Sequence, residues 1–173
     1  MGNLATPEAL IARWEELCRD PSLQDLPYKI ELNAWGKAEM SPASVHHAWL
    51  QAALAAEWKQ QLRDGVALTE CPVLTSIGVR VPDVAWASAH FMRQHRGLSP
   101  LPRAPELCAE IVSRSNVEAE ITEKTRAYLA AGAEEVWLVA ENGTIRFIDR
   151  SGEKAQSGFA VAVTLPDPTK GYP

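Results

Sequence analysis

The sequence predicts a mixed α/β (α+β) fold, a central mixed β-sheet flanked by helices, and three observations carry that expectation. Residues 43–62 hold an apolar stripe at helical spacing, with Leu50, Leu54, Trp58 and Leu62 in line. Two short apolar runs, 107–112 and 135–140, have strand length and are separated by a helical stretch that stops at Gly132. Asn142-Gly143 then sits between two strand-like segments, a strong short-range hairpin signal. Helix, two strands, long helix, strands, strand, helix, strand and hairpin in that order call for helices packed on a sheet.

Each element has a local reason. Thr6-Pro7 supplies a cap and a first-turn proline, and Leu10, Ile11, Trp14 and Leu17 continue as an amphipathic helix ending near Asp20-Pro21. Residues 28–41 read as two strands about a turn at Ala34-Trp-Gly36, with Glu31 in the first. Ser41-Pro42 leads into the long helix, and Gly65 is expected to end it. Val66 to Ile77 is expected as one strand made irregular by Pro72, and Val79 to Trp86 as its partner in a hairpin or meander. Residues 93–105, with Gly97 and three prolines, read as loop. Ser115 and Glu118 have capping-box spacing for a helix over 117–130. A last strand is expected over 159–165, before an irregular tail, 166–173.

The 173 residues suit one domain over 1–173, its core about 7–165, with a substantial apolar interior. No apolar run approaches the roughly 20 residues a bilayer span needs, and the first residues lack the basic and apolar regions of a secretory signal, so a soluble, cytoplasmic protein without membrane contact is expected. Cys18, Cys71 and Cys108 are odd in number and unpaired in spacing, which fits reduced thiols, Cys108 as core filler. A net charge of −5 argues against nonspecific coating of a nucleic-acid backbone. Arg93, Arg96 and Arg103, with His90 and His95, cluster between two carboxylate-bearing strands, but a solvated loop explains them more simply. The tryptophans are scattered through different elements and read as core rather than as a base-stacking platform.

Chemistry concentrates in three residues. Asp83 follows Pro82 at the head of an apolar strand, and Glu110 interrupts the run Leu107-Cys-Ala-Glu-Ile-Val112. An ionised carboxylate in a buried strand is costly unless a cation or proton compensates it. The plain alternative for Asp83 is a turn residue, and for Glu110 an edge residue facing water. Lys124 lies in the next helix, where it could simply pair with Glu120 four residues earlier. Together, two strand carboxylates and a nearby ammonium are what phosphodiester hydrolysis assisted by Mg²⁺ or Mn²⁺ requires.

Several segments resemble the Uma2 family of restriction-endonuclease-like domains, within the PD-(D/E)XK nuclease superfamily. They are Tyr28-Lys-Ile-Glu-Leu32 with Gly36, Met40-Ser-Pro42 running to His47, Val81-Pro-Asp-Val84, Pro105 to Ser113, Glu120 with Lys124 and Tyr128, and Gly132 to Val139. The resemblance, over about residues 7–150, implies a restriction-endonuclease-like core with Asp83 and Glu110 as metal-binding carboxylates. It implies Glu31 as a third metal-site or water-orienting acid, and His47 or its neighbour His46 at the start of the long helix; His47 suits the apolar stripe better. The superfamily lysine usually stands two residues after the second acid, where this chain has Val112, so its role passes to Lys124.

Arg114 in place of proline, Glu120 in place of aspartate and a short proline-rich C-terminus depart from the family pattern. The implied function is a divalent-metal-dependent endonuclease acting on DNA, a homodimer by analogy with two-strand cleavage. The alternative is a non-catalytic nucleic-acid or protein interaction module that retains the fold.

Overall fold

A computed structural model describes residues 4–113 and 116–167. In chain order the elements are α1 (Pro7–Arg19), β1 (Tyr28–Asn33), β2 (Ala38–Pro42), α2 (Val45–Gln61), β3 (Gly65–Thr69), β4 (Val73–Thr75), β5 (Gly78–Arg80) and β6 (Val84–Ser88). They continue with α3 (Ala89–Gln94), β7 (Leu107–Val112), α4 (Glu118–Ala131), β8 (Glu135–Ala140), β9 (Ile145–Asp149) and β10 (Gly152–Lys154).

The strands divide between two sheets. One is antiparallel, in the order β2-β1-β5-β4; the other is mixed, in the order β10-β9-β8-β7-β6-β3. Within the second, only β7 and β8 run parallel, with α4 as the crossover between them. The expected single strand over 66–77 is therefore two strands in different sheets. Pro72 marks the point where the chain leaves one sheet for the other, since it cannot donate to a ladder. The expected partner strand over 79–86 divides likewise, at Val81-Pro-Asp83: β4 forms a hairpin with β5, while β3 pairs with β6. Gly78 makes the β4–β5 turn feasible. Its φ is +119°, and a Cβ there would stand 2.0 Å from the Leu32 carbonyl oxygen.

Four apolar clusters hold these layers. The face of the mixed sheet bearing Leu107, Ala109, Ile111, Trp137 and Val139 packs on Leu50, Leu54 and Trp58 of α2. Trp58 meets Trp137 edge-on at 5.1 Å between ring centroids, a geometry contributing about 0.5–1.5 kcal/mol beyond area burial. The opposite face, with Cys108, Val136 and Leu138, receives Ile121, Tyr128 and Leu129 of α4. Leu10, Trp14 and Leu17 of α1 cover the face of the antiparallel sheet that carries Leu32 and Val79. Cys71, Ala85, Ala87, Phe91 and Leu101 form the fourth cluster.

Two local expectations fail and one short helix went unread, each for an identifiable reason. Residues 89–94 form α3, capped by Ser88, whose hydroxyl and amide both bond to Glu106; six residues are too few for a readable stripe. Gly65 opens β3, and the long helix already ends at Gln61. No strand forms over 159–165. Phe159, Val161, Val163 and Leu165 do alternate inward, but the Ala162 backbone is bonded on both sides by the Gln61 side-chain amide.

That closing segment is also anchored by Glu135, which accepts hydrogen bonds from Trp137, Ser157 and Gly158. The capping-box reading at Ser115, the Arg114 departure and the tail over 168–173 lie outside the described residues. Among the described residues no helix is long and apolar enough to cross a membrane.

Candidate active site

Strand alternation decides which side chains meet. In β7, Leu107, Ala109 and Ile111 point toward α2, so Glu110 points to the α4 side. In β1, Ile30 and Leu32 face α1, so Lys29 and Glu31 face the opposite way. The β6–β7 register pairs Val84 with Ala109, and extending it by one residue sets Asp83 across from Glu110. These faces enclose an acid-lined cleft of about 690 Å³ between the two sheets and the N-terminal end of α2.

The five residues singled out from the sequence all line this cleft. Asp83 is 1% exposed. Its Oδ2 accepts the Ile111 amide at 2.7 Å, and Oδ1 lies 3.2 Å from His47 Nε2. The Asp83 carbonyl accepts from Gln51, one turn along α2 from His47, so one helical face holds both ends of the residue. His47 takes its place in the register that also buries Leu50 and Leu54.

Glu110 Oε1 accepts the Tyr128 hydroxyl at 2.6 Å. Glu31 Oε1 accepts the Val81 amide at 2.8 Å, tying β1 to the link between the sheets. Lys124 turns inward to Glu31 at 2.7 Å and Glu110 at 3.7 Å, not along its helix to Glu120.

The residue that sequence reasoning missed is Lys29. Its ammonium stands 2.7 Å from Asp83 Oδ1 and 3.3 Å from Glu110 Oε2, bridging the two acids. A lysine in a short strand reads as surface, but its i, i+2 spacing from Glu31 places both on one face, and that signal was available. Arg80, also unforeseen, bonds Glu39 at 2.6 Å and Glu31 at 3.4 Å. Arg93, Arg96 and Arg103 are exposed and line no part of the cleft, in keeping with the solvated-loop reading.

The electrostatics follow from burial set against pairing. Burial opposes ionisation of Asp83, yet Lys29 and His47 hold its pKa well below the ordinary carboxylate range. Burial likewise opposes Glu31, and Lys124 with Lys29 brings it below its usual value. For Glu110 burial wins, and its pKa is raised despite both lysines. Lys29 loses solvation, but Glu110 and Asp83 more than restore its charge and raise its pKa. Burial pushes the Tyr128 hydroxyl up, so it remains a donor.

Among the described residues no group of three or more His, Cys, Asp or Glu side chains forms a ready-made metal cage. What the cleft offers is a pair of carboxylate oxygens converging on one cation, currently the Lys29 ammonium. That donor set fits Mg²⁺, which is held by one or two carboxylates with water and substrate oxygens completing its shell. Glu39, Glu70, Glu120 and Glu141 add further carboxylates to the cleft wall.

Comparison with known proteins agrees with this architecture. A protein from Anabaena variabilis ATCC 29413, described as "a putative nuclease belonging to DUF820", superposes with a TM-score of 0.61 at 16% identity, over 78% of this chain and 81% of that one. No curated protein matches the chain significantly. The Uma2 profile, described as "Putative restriction endonuclease", matches residues 14–162, a stretch that contains every acid of the cleft, and the chain belongs to the Uma2 family.

Proposed function

We propose that this protein is a divalent-metal-dependent endonuclease that hydrolyses DNA phosphodiester bonds in the cleft between the two sheets. The observation that carries this reading is the convergence of Asp83 Oδ1 and Glu110 Oε2 on one cation position inside an otherwise buried acid pair. Family membership and the nuclease-like relative support the reaction class. Asp83 and Glu110 would hold Mg²⁺ or Mn²⁺ through those oxygens. When bound, such an ion supplies Lewis acidity and an activated water at neutral pH.

The chain's own groups prepare the rest. The Ile111 amide and His47 fix the Asp83 carboxylate, and Tyr128 fixes that of Glu110. Lys124, held by Glu31, presents a positive charge beside Glu110, where charge develops on the phosphate oxygens. Glu31 therefore contributes by orienting Lys124 and closing the shell around the acids.

The test is cleavage of single- and double-stranded DNA with Mg²⁺ or Mn²⁺. Asp83→Ala and Glu110→Ala are each expected to lower the rate at least about a hundredfold with circular dichroism unchanged, and Lys124→Ala by about a hundredfold. Cleavage that survives both acid substitutions sinks the proposal. Nucleic-acid binding indifferent to EDTA and to Asp83→Ala would favour the non-catalytic module instead.

A further inference from the structure

Lys29 places its ammonium where a single cation touches both Asp83 and Glu110. Lys124 does not share it, since its contacts are Glu31 and, at longer range, Glu110. The Lys29 side chain is 11% exposed and rises from β1 on the face opposite the α1 core, so its long stem brings the ammonium in from the wall of an open cleft. A divalent ion on the same two oxygens would stand within contact distance of that ammonium, and two cations cannot share the spot without strong repulsion.

We infer that Lys29 is a displaceable internal counter-ion: it neutralises the acid pair in the metal-free protein and swings out of the pair when a divalent cation enters. This rests on the metal-dependent reading above and adds a competitor to it. The contact explains how two buried acids are compensated and held in register before any metal arrives. An unpaired buried acid pair would otherwise take up a proton or force the strands apart.

The competition sets the apparent affinity. A site that is available only in the fraction of molecules whose lysine has swung out binds its ligand more weakly by that fraction. Removing the lysine charge therefore tightens binding, the opposite of what a residue that merely arranges the metal ligands would do.

The experiment is calorimetric titration of Mn²⁺ into metal-free wild type, Lys29→Gln and Lys29→Arg, each checked by circular dichroism. Lys29→Gln is expected to bind Mn²⁺ about tenfold more tightly than wild type, while Lys29→Arg, which keeps the charge, gives no such gain. A second measurement needs no variant: reductive methylation of wild-type lysines, read by peptide mass spectrometry, with exposed Lys37 as the internal reference. Lys29 is expected to be protected without metal and to gain labelling several-fold at saturating Mn²⁺.

Wild type that binds Mn²⁺ while folded Lys29→Gln binds it equally or more weakly overturns the inference and leaves the metal site standing. Lys29 that stays protected at saturating Mn²⁺ does the same, and decides the matter if Lys29→Gln does not fold. Absence of Mn²⁺ binding in both proteins overturns the metal-dependent function itself, and the inference with it.

Discussion

Glu110 carries its carboxylate inside β7, where burial raises its pKa above 4.5 even with Lys29 and Lys124 beside it. A carboxyl whose folded-state pKa lies above its unfolded value is penalised once both states are ionised, and the penalty vanishes below the unfolded pKa. Glu110→Gln, which mimics the protonated acid and leaves Tyr128 an acceptor, is therefore expected to stabilise the metal-free protein at neutral pH. Its advantage should shrink as pH falls toward 4.5, which urea denaturation across that range will measure. Asp83 and Glu31 have the opposite sign: their pairing stabilises above the ordinary carboxylate values and is lost only as pH falls through their lowered ones. At this scale the sequence was informative. Asp83, Glu110, Lys124, Glu31 and His47 all reach one cleft because strand and helix periodicity allow few other destinations for polar groups set among apolar ones. Lys29 could have been placed on the Glu31 face by its spacing, but its pairing with Asp83 and Glu110, 54 and 81 residues away, depends on how β1 is seated beside β5.

Among the elements, α2 bears on the site most directly, since its first turn delivers His47 and its second Gln51. Ser44 caps it, its hydroxyl accepting the His47 amide at 3.1 Å. Ser44→Ala is expected to cost about 1 kcal/mol in unfolding free energy, measured by denaturant titration. The long helices and the β8–β9 hairpin were readable because each carries many periods or a turn that only one conformation satisfies. Division of the strands between two sheets was not, because β4 and β5 are three residues each, too short for alternation to show which neighbour they choose. The 159–165 segment shows the converse. Its alternation was real, but alternation reports which side is buried and not what the backbone bonds to.

For the whole molecule the governing quantity is charge. A chain of net −5 whose cleft wall bears Glu39, Glu70, Glu120 and Glu141 besides the central acids repels a phosphate backbone. A short DNA duplex followed by fluorescence anisotropy is accordingly expected to show no saturable binding in EDTA and clear binding once Mn²⁺ is added. Equal binding in both would mean that the nucleic acid docks elsewhere.

The link Val81-Pro-Asp83 between the two sheets is three residues long, and its backbone is tied down at both ends. The Val81 amide is bonded to Glu31, and the Asp83 carbonyl to the Glu70 amide and to Gln51. Just beyond it, Val84 and Trp86 point toward α2 while Ala85 and Ala87 point the other way. One residue gained or lost here would turn β6 inside out as well as move the acid. Any relative with an insertion or deletion between the positions of Arg80 and Val84 has therefore given up this cleft, however well the rest of its sequence aligns.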